Sequence, residues 1–329
     1  MPALDADDVR IFSGRSHPEL AADIASYLSI PLDPTYCGTF SNDNLFIQLG
    51  ASVRGRAVYI VQSLVPPVSD HLIELFMMLD IARSAGAREV HAIIPYFSYA
   101  RSDKKDAPRI SIAARLIADL LKTSGATHVM TMTLHSPQVH GFFSIPTDPL
   151  TARPLFVRHF QQMNLDLSKS IVVAPDFGRA RSASMFAERL NLPVAIAEKT
   201  RLSDTRVSID ASINRQIKGF RHALVIDDEI ATGGTMIELC RVLVKNGMET
   251  IDVICTHGLF SGNALEKLSA FPEVRMIVTT NTVPIPPEKR VPKLTVLSVA
   301  PVFGEAIWRN YRRRSIGDLF TFGRDEEEE

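Results

Sequence analysis

Short apolar runs of strand length recur along the chain, separated by amphipathic stretches. AVYIVQS, VHAIIPYF, HVMTMTL, IVVAPD, PVAIA, HALVIDD, IDVICTHG, MIVTTN and LTVLSVAP are near-continuous in apolar residues, the pattern of strands buried on both faces. HPELAADIASYL, APRISIAARLIADLLKTSG, RSASMFAERLN and GTMIELCRVLVKNG carry helical spacing, and several are closed by Gly or Asn, residues that tolerate the left-handed backbone at a helix end. Strand and helix alternating in this way predict an α/β fold with mainly parallel sheets flanked by helices.

The pattern also repeats. VRGRAVYIVQS at 53–63 lines up with IKGFRHALVIDD at 217–228, each leading into a helix that carries Ile-Glu-Leu, and Gly55/Gly219 and Ile73/Ile237 share one offset of 164 positions. Two tandem domains related by duplication are expected, at 1–153 and 154–312. A segment at 313–322 would return to the first domain, and an acidic tail at 323–329 would lie in solvent.

Composition narrows the function classes. With 46% hydrophobic and 22% charged residues in 329, the chain can build real cores. Lys+Arg 36 against Asp+Glu 37 advertise neither nucleic acid nor a membrane surface, so any anion site must be local. Cys37, Cys240 and Cys255 show no Cys-x-x-Cys spacing, which argues against a disulfide framework or structural zinc. The start MPALDADDVR lacks a basic-then-apolar signal pattern, and no long apolar window occurs. A soluble cytoplasmic protein is expected.

The most informative stretch is HALVIDDEIATGGTMIELCRVL: a strand, two carboxylates, a loop of small residues, then a helix. Backbone N–H groups of Thr232, Gly233, Gly234 and Thr235 at a helix N-terminus can surround a phosphate, and glycine permits its close approach. Asp227 and Asp228 suit ribose hydroxyls or a bridging Mg²⁺. The plain alternative is a strand ending in an N-cap Asp and a Gly-rich turn. No Walker A loop and no G-x-G-x-x-G after a strand occur anywhere in the chain.

This loop resembles the ribose-phosphate loop of type I phosphoribosyltransferases. IFSGRSHPELA, IPYFSYARSDKK, LHSPQVHGFFSIP, THGLFSGNA, LSVAPVFGEAI and SIGDLF extend the resemblance nearly end to end, to the ribose-phosphate pyrophosphokinases, or phosphoribosyl pyrophosphate (PRPP) synthetases. The resemblance implies two phosphoribosyltransferase-like domains and homo-oligomers built from dimers, with a hexamer favoured. It also implies transfer of the β,γ-diphosphoryl group of MgATP to the C1 hydroxyl of ribose 5-phosphate. Such chemistry rests on positioning and on cations around developing phosphate charge.

On that resemblance Lys199 and Arg201 in EKTRLSDTRV are the catalytic basic pair, and His135 and Asp176 hold Mg²⁺ and the ATP phosphates. Arg101 and Asp103 in YARSDKK grip ATP, while Phe40 and Asn42 reach adenine from a neighbouring subunit. Without it, Lys199 and Arg201 read as a solvated basic turn, YARSDKK as a wet loop, and His135 as a hydrogen-bonded structural histidine. His140, His222 and His257 keep the structural reading.

Four residues depart from the family pattern. Ala231 stands for an acid after the paired aspartates, Asn44 for a Glu near adenine, Arg179 for the second Gly of P-D-x-G-G, and Thr133 for an Asp before His135. They motivate alternatives, a non-catalytic regulatory subunit or an enzyme with changed nucleotide or sugar specificity. Arg179 would either bind phosphate or obstruct the cleft. Ser52 and Arg54 match members that bind phosphate or ADP at a subunit junction, but Pro149 and His140 differ from neighbours there, so ADP inhibition is not expected. The first copy of the repeat has QSLVPPVSD in place of the paired acids; Ser69 and Asp70 read as helix caps, leaving one ribose site per chain.

Overall fold

Apolar runs too short to form helices pair side by side here, and their crossover helices cover both faces. The computed structural model describes residues 4–163, 165–197, 199–201, 207–209 and 213–320. In chain order the elements are β1 (Val9–Ser13), α1 (Pro18–Tyr27), β2 (Thr35–Thr39), β3 (Leu45–Leu49), β4 (Ala57–Val61), α2 (Val68–Ser84), β5 (Glu89–Ile94), α3 (Ala113–Ser124), β6 (His128–Met132) and β7 (Thr147–Leu150). The chain continues through α4 (Arg153–Gln161), β8 (Ser170–Ala174), α5 (Ala180–Arg189), β9 (Val194–Ile196), β10 (Lys199–Arg201), β11 (Val207–Ile209), α6 (Ile213–Gln216), β12 (His222–Ile230), α7 (Gly234–Lys245), β13 (Thr250–Gly258), α8 (Ala264–Ser269), β14 (Val274–Thr280), β15 (Leu294–Leu297) and α9 (Ala300–Tyr311).

The chain divides into two compact units. The first comprises Met1–Thr151, Thr282–Pro284 and Ser298–Glu329, and the second Ala152–Asn281 and Ile285–Leu297. The first holds a five-stranded sheet in the order β1-β4-β5-β6-β7, the second a six-stranded sheet in the order β15-β14-β13-β12-β8-β9. Every pairing in both is parallel. β4, β6 and β8 are buried at every position, which is why they read as unbroken apolar runs. On one face of the first sheet Ile60, Leu75, Leu79, Ile94 and Ile117 form a core; in the second unit Val173, Val225, Met236, Cys240 and Val253 do the same.

The expected second domain, 154–312, needs correction at its far end. Residues 298–312 belong to the first unit, as do 282–284. The cause is packing. Gly304 of α9 lies against the Tyr27 ring of α1, where an added Cβ would fall 2.2 Å from Cδ1. The Tyr59 hydroxyl lies 3.0 Å from Asn310 Oδ1, and the Tyr311 hydroxyl donates to Asp8 at 2.9 Å. Of the segment expected to return to the first domain, residues 313–320 are described, and Phe320 bridges Leu150 in antiparallel sense; 321–322 and the acidic tail 323–329 lie outside the described residues.

β1, β7 and the antiparallel hairpins β2–β3 and β10–β11 carry no long apolar run, so the hydrophobic pattern does not announce them as strands. Among the described residues no helix is long and apolar enough to cross a membrane, and the three cysteines are free. Burial pushes the Cys240 thiol up to about 12, so it is a core residue rather than a reactive one.

Candidate active site

In the second unit three neighbouring strands, β12, β8 and β9, release candidate groups at one edge, where their C-terminal ends lie, the usual ligand edge of an α/β sheet. β12 runs on through both aspartates to Ile230. Asp227 and Asp228 stand side by side where the ladder with β13 is interrupted, their carboxyl groups close enough to share a hydrogen bond. Asp228 is 5% exposed, and its backbone N–H donates to Asp227 Oδ1 at 2.8 Å. Burial, reinforced by the Asp228 charge beside it, raises the proton affinity of Asp227 well above the usual carboxylate range.

The loop after β12 ends in Gly233, the N-cap of α7, at φ +75°. An added Cβ there would meet Ala264 Cβ at 3.2 Å, so the left-handed backbone and the neighbouring helix both require glycine. At Gly234, no protein atom lies within 4 Å of the same position. Its missing side chain therefore opens space rather than relieving a clash. No side chain caps α7, so the N-cap Asp alternative fails and the first N–H groups of the helix face outward for an anion. From the other side, Ser261 N–H donates to the Ala231 carbonyl at 2.9 Å, bracing the loop where Ala231 departs from the family pattern.

Asp176 comes directly after β8 and accepts the Arg179 backbone N–H at 3.2 Å. The Arg179 side chain forms an ion pair with Asp228 at 3.3 Å, with side chains 15% and 5% exposed. By sequence Arg179 reads as either phosphate ligand or obstruction; the structure makes it a partner of the second aspartate. Neither residue type nor spacing signals that pair, because it joins two strands distant in sequence. Lys199 and Arg201 lie on β10, whose backbone pairs Lys199 with Ile209 and Arg201 with Val207 of β11; their side chains lie outside what the structure describes.

The first unit carries its candidates at the ends of neighbouring strands too. Arg101 is exposed and Asp103 half-buried after β5, while His135 is half-buried after β6. Thr133, in the same turn, adopts φ +43°. The β2–β3 hairpin presents Phe40, 57% exposed, edge-on to Phe46 with ring centroids 5.8 Å apart; Asn42 Oδ1 accepts the Asn44 N–H at 3.3 Å. Ser69 and Asp70 do not cap α2, whose N-cap is Pro67 with no side-chain bond. The structural reading of two other histidines holds: His222 bonds Asp252 at 2.8 Å and Ser170 at 3.0 Å, and His140 bonds the Thr147 carbonyl at 3.0 Å.

Residues 9–125 match the model of the N-terminal domain of ribose phosphate pyrophosphokinase, and residues 212–321 that of the phosphoribosyl synthetase-associated domain. A putative ribose-phosphate pyrophosphokinase of Streptomyces coelicolor is 50% identical, covering 95% of this chain and 98% of that one. The chain belongs to the ribose-phosphate pyrophosphokinase family. The ribose-phosphate pyrophosphokinase of Deinococcus radiodurans is 45% identical over 94% of this chain and 97% of its own. The crystal structure of phosphoribosylpyrophosphate synthetase from Mycobacterium smegmatis superposes with a TM-score of 0.86 at 35% identity, covering 93% of this chain and 99% of that one. As a ribose-phosphate pyrophosphokinase family member the protein is a transferase of the kinase type with the α/β fold expected of it.

Proposed function

We propose that this chain transfers the β,γ-diphosphoryl group of MgATP to the C1 hydroxyl of ribose 5-phosphate, giving PRPP and AMP. The observation that carries the reading is the uncapped N-terminus of α7 at left-handed Gly233 and open Gly234, shortly after a pair of adjacent carboxylates, Asp227 half-buried and Asp228 buried. Backbone N–H groups of Thr232, Gly233, Gly234 and Thr235 hold the 5-phosphate, and Asp227 and Asp228 hold the ribose hydroxyls, with Arg179 orienting the Asp228 carboxylate.

His135 and Asp176 would hold Mg²⁺ beside the ATP phosphates, the Asp176 carboxylate supplying the hard oxygen such an ion prefers. When bound, that ion neutralises charge on the transferring diphosphate. Lys199 and Arg201 supply the protein's own cations there, and losing either lowers kcat more than it raises KM, since their contacts strengthen in the transition state. Arg101 and Asp103 bind ATP. Phe40, exposed in the single chain, stacks on adenine across a subunit boundary with Asn42 beside it, which makes a homo-oligomer built from dimers, a hexamer, part of the working enzyme. The cytoplasm, where ATP and pentose phosphates are available, is its place.

The test is to incubate the purified chain with ribose 5-phosphate, MgATP and inorganic phosphate and to quantify AMP and PRPP. Stoichiometric AMP and PRPP support the proposal. ATP turnover yielding ADP instead, or no binding of ribose 5-phosphate by calorimetry with MgATP present, overturns it.

A further inference from the structure

At the other edge of the first sheet, where β5 and β6 begin, lies a cleft of about 1050 Å³. Its lining includes Arg88, Arg312, Arg313 and Arg314 together with Asp8, Glu89 and Asp148. Each of these acids is engaged: Asp8 with Arg88 at 2.6 Å, Glu89 with His91 at 3.3 Å, and Asp148 with His128 at 2.8 Å. Arg312, Arg313 and Arg314 form no ion pair among the described residues. Two of them rest on rings instead, Arg312 on Tyr311 and Arg314 on Trp308, at 5.7 and 5.0 Å from the centroids. The hydrogen bond with His91, helped by Arg313 acting through space, holds the Glu89 carboxyl below the usual range, but three consecutive guanidinium groups still leave an excess of positive charge that calls for an anion.

The chain itself carries one of matching sign. Residues 325–329 are Asp-Glu-Glu-Glu-Glu. Phe320 bridges Leu150 in antiparallel sense, and Thr151 N–H donates to the Leu319 carbonyl at 2.9 Å. β7 is an edge strand, and Phe320, the last described residue, lies against its C-terminal end at Leu150. Pro146 and Asp148 line the cleft. The four residues of β7 cover about 13 Å, and the five residues from Phe320 to Asp325 span up to about 17 Å, so the acidic segment is long enough to reach the mouth of the cleft.

We propose that the cleft is the docking site of the chain's own acidic segment, Asp325–Glu329, held by Arg312, Arg313 and Arg314 as a salt-sensitive electrostatic latch on the first unit. The contact belongs to this chain's particular combination of a triple arginine and an acidic tail, and it is independent of the ribose-phosphate site. Salt weakens it, because exposed charges are screened within about 10 Å at 0.1 M ionic strength.

Hydrogen-exchange mass spectrometry on the full-length protein tests it, comparing the native chain with a variant in which Asp325 becomes Asn and Glu326 to Glu329 become Gln. At low salt, peptides spanning 144–150 and 308–318 should exchange at least about fivefold faster in the variant, and 0.5 M NaCl should bring the native chain to the same rate. Reversing both partners, Arg312, Arg313 and Arg314 to Glu with Glu326, Glu327 and Glu328 to Arg, should restore the protection, an outcome that loss of fold cannot mimic. Equal exchange in native and neutralised chains at low salt overturns the proposal. So does protection that disappears on dilution to the monomer, which assigns the contact to a second copy, or protection by added tripolyphosphate that is no stronger in the neutralised variant than in the native chain, since a vacated latch must bind the probe better.

Discussion

The two copies of the repeat share a frame and differ in the segment that joins strand to helix. Gly55 and Gly219 precede β4 and β12 with φ of +72° and +95°. Past the crossover helix, Ala87 N–H returns to Ala82 and Met248 N–H to Leu243, each at 3.1 Å, around the left-handed Gly86 and Gly247. Between these matched ends the copies part. In the second, the strand carries two carboxylates and the helix starts at an uncapped glycine. In the first, Pro66-Pro67 leads straight into α2, whose Glu74 is fully buried and accepts the Arg15 backbone N–H at 2.6 Å and its Nε at 2.9 Å. Both copies thus hold an arginine against a buried acid. In the first copy the acid spends its capacity on Arg15 and closes a core; in the second, Arg179 restrains Asp228 beside backbone donors that no side chain has satisfied. Whether the acid is structural or ligand-binding depends on that leftover capacity.

The sharpest way to break the comparison is Asp227→Asn. It should lower AMP formation by at least about 1000-fold, on the order of 4 kcal/mol, while raising Tm, because one of two adjacent carboxyls that raise each other's proton affinity disappears. A stability loss in thermal melts would place Asp227 with Glu74 as a core residue. Next, Glu74→Ala should cost about 2–3 kcal/mol in denaturant unfolding by stranding the donors of Arg15, with kcat per folded enzyme unchanged; a kcat loss in enzyme of unaltered stability contradicts the structural role. Gly234→Ala should raise KM for ribose 5-phosphate at least about tenfold, about 1.4 kcal/mol, and leave Tm nearly unchanged, whereas Gly233→Ala should lower Tm as well, by about 1–3 kcal/mol of strain.

The smallest effect concerns pH. Burial is the main cause of the lowered proton affinity of His91, which stacks on Tyr59 with centroids 4.3 Å apart and lies 3.0 Å from His128. The unfolded chain takes up a proton below about pH 6.5 and the folded chain resists it. This contribution is therefore complete above about pH 6.5 and is lost as pH falls through the folded value. Chemical denaturation of His91→Gln should show a shallower stability decline below pH 6.5 than the native chain; parallel curves would remove His91 as the cause.

Much of the fold and of the proposed ribose-phosphate site is legible in the sequence. Strands buried on both faces announce themselves as apolar runs, and the Asp-Asp and Thr-Gly-Gly-Thr segment is contiguous along the chain, so β12 through α7 can be read directly. β1 and β7 cannot, since β1 is interrupted by Arg10 and β7 by Asp148 and Pro149. The placement of α9 also escapes, because its amphipathic pattern specifies an apolar face without saying which sheet will cover it; Gly304 against Tyr27 decides that.

By itself the sequence determined the α/β alternation, the repeat and the Gly-rich loop before α7, all properties of neighbouring residues whose spacing along the chain is their geometry. Only the tertiary structure decided that Arg179 pairs with Asp228, that Arg15 neutralises Glu74, and that residues 298–312 join the first unit. Those contacts join segments tens to hundreds of positions apart, and their partners are selected by packing and by the penalty for burying an unpaired charge, which no local pattern encodes.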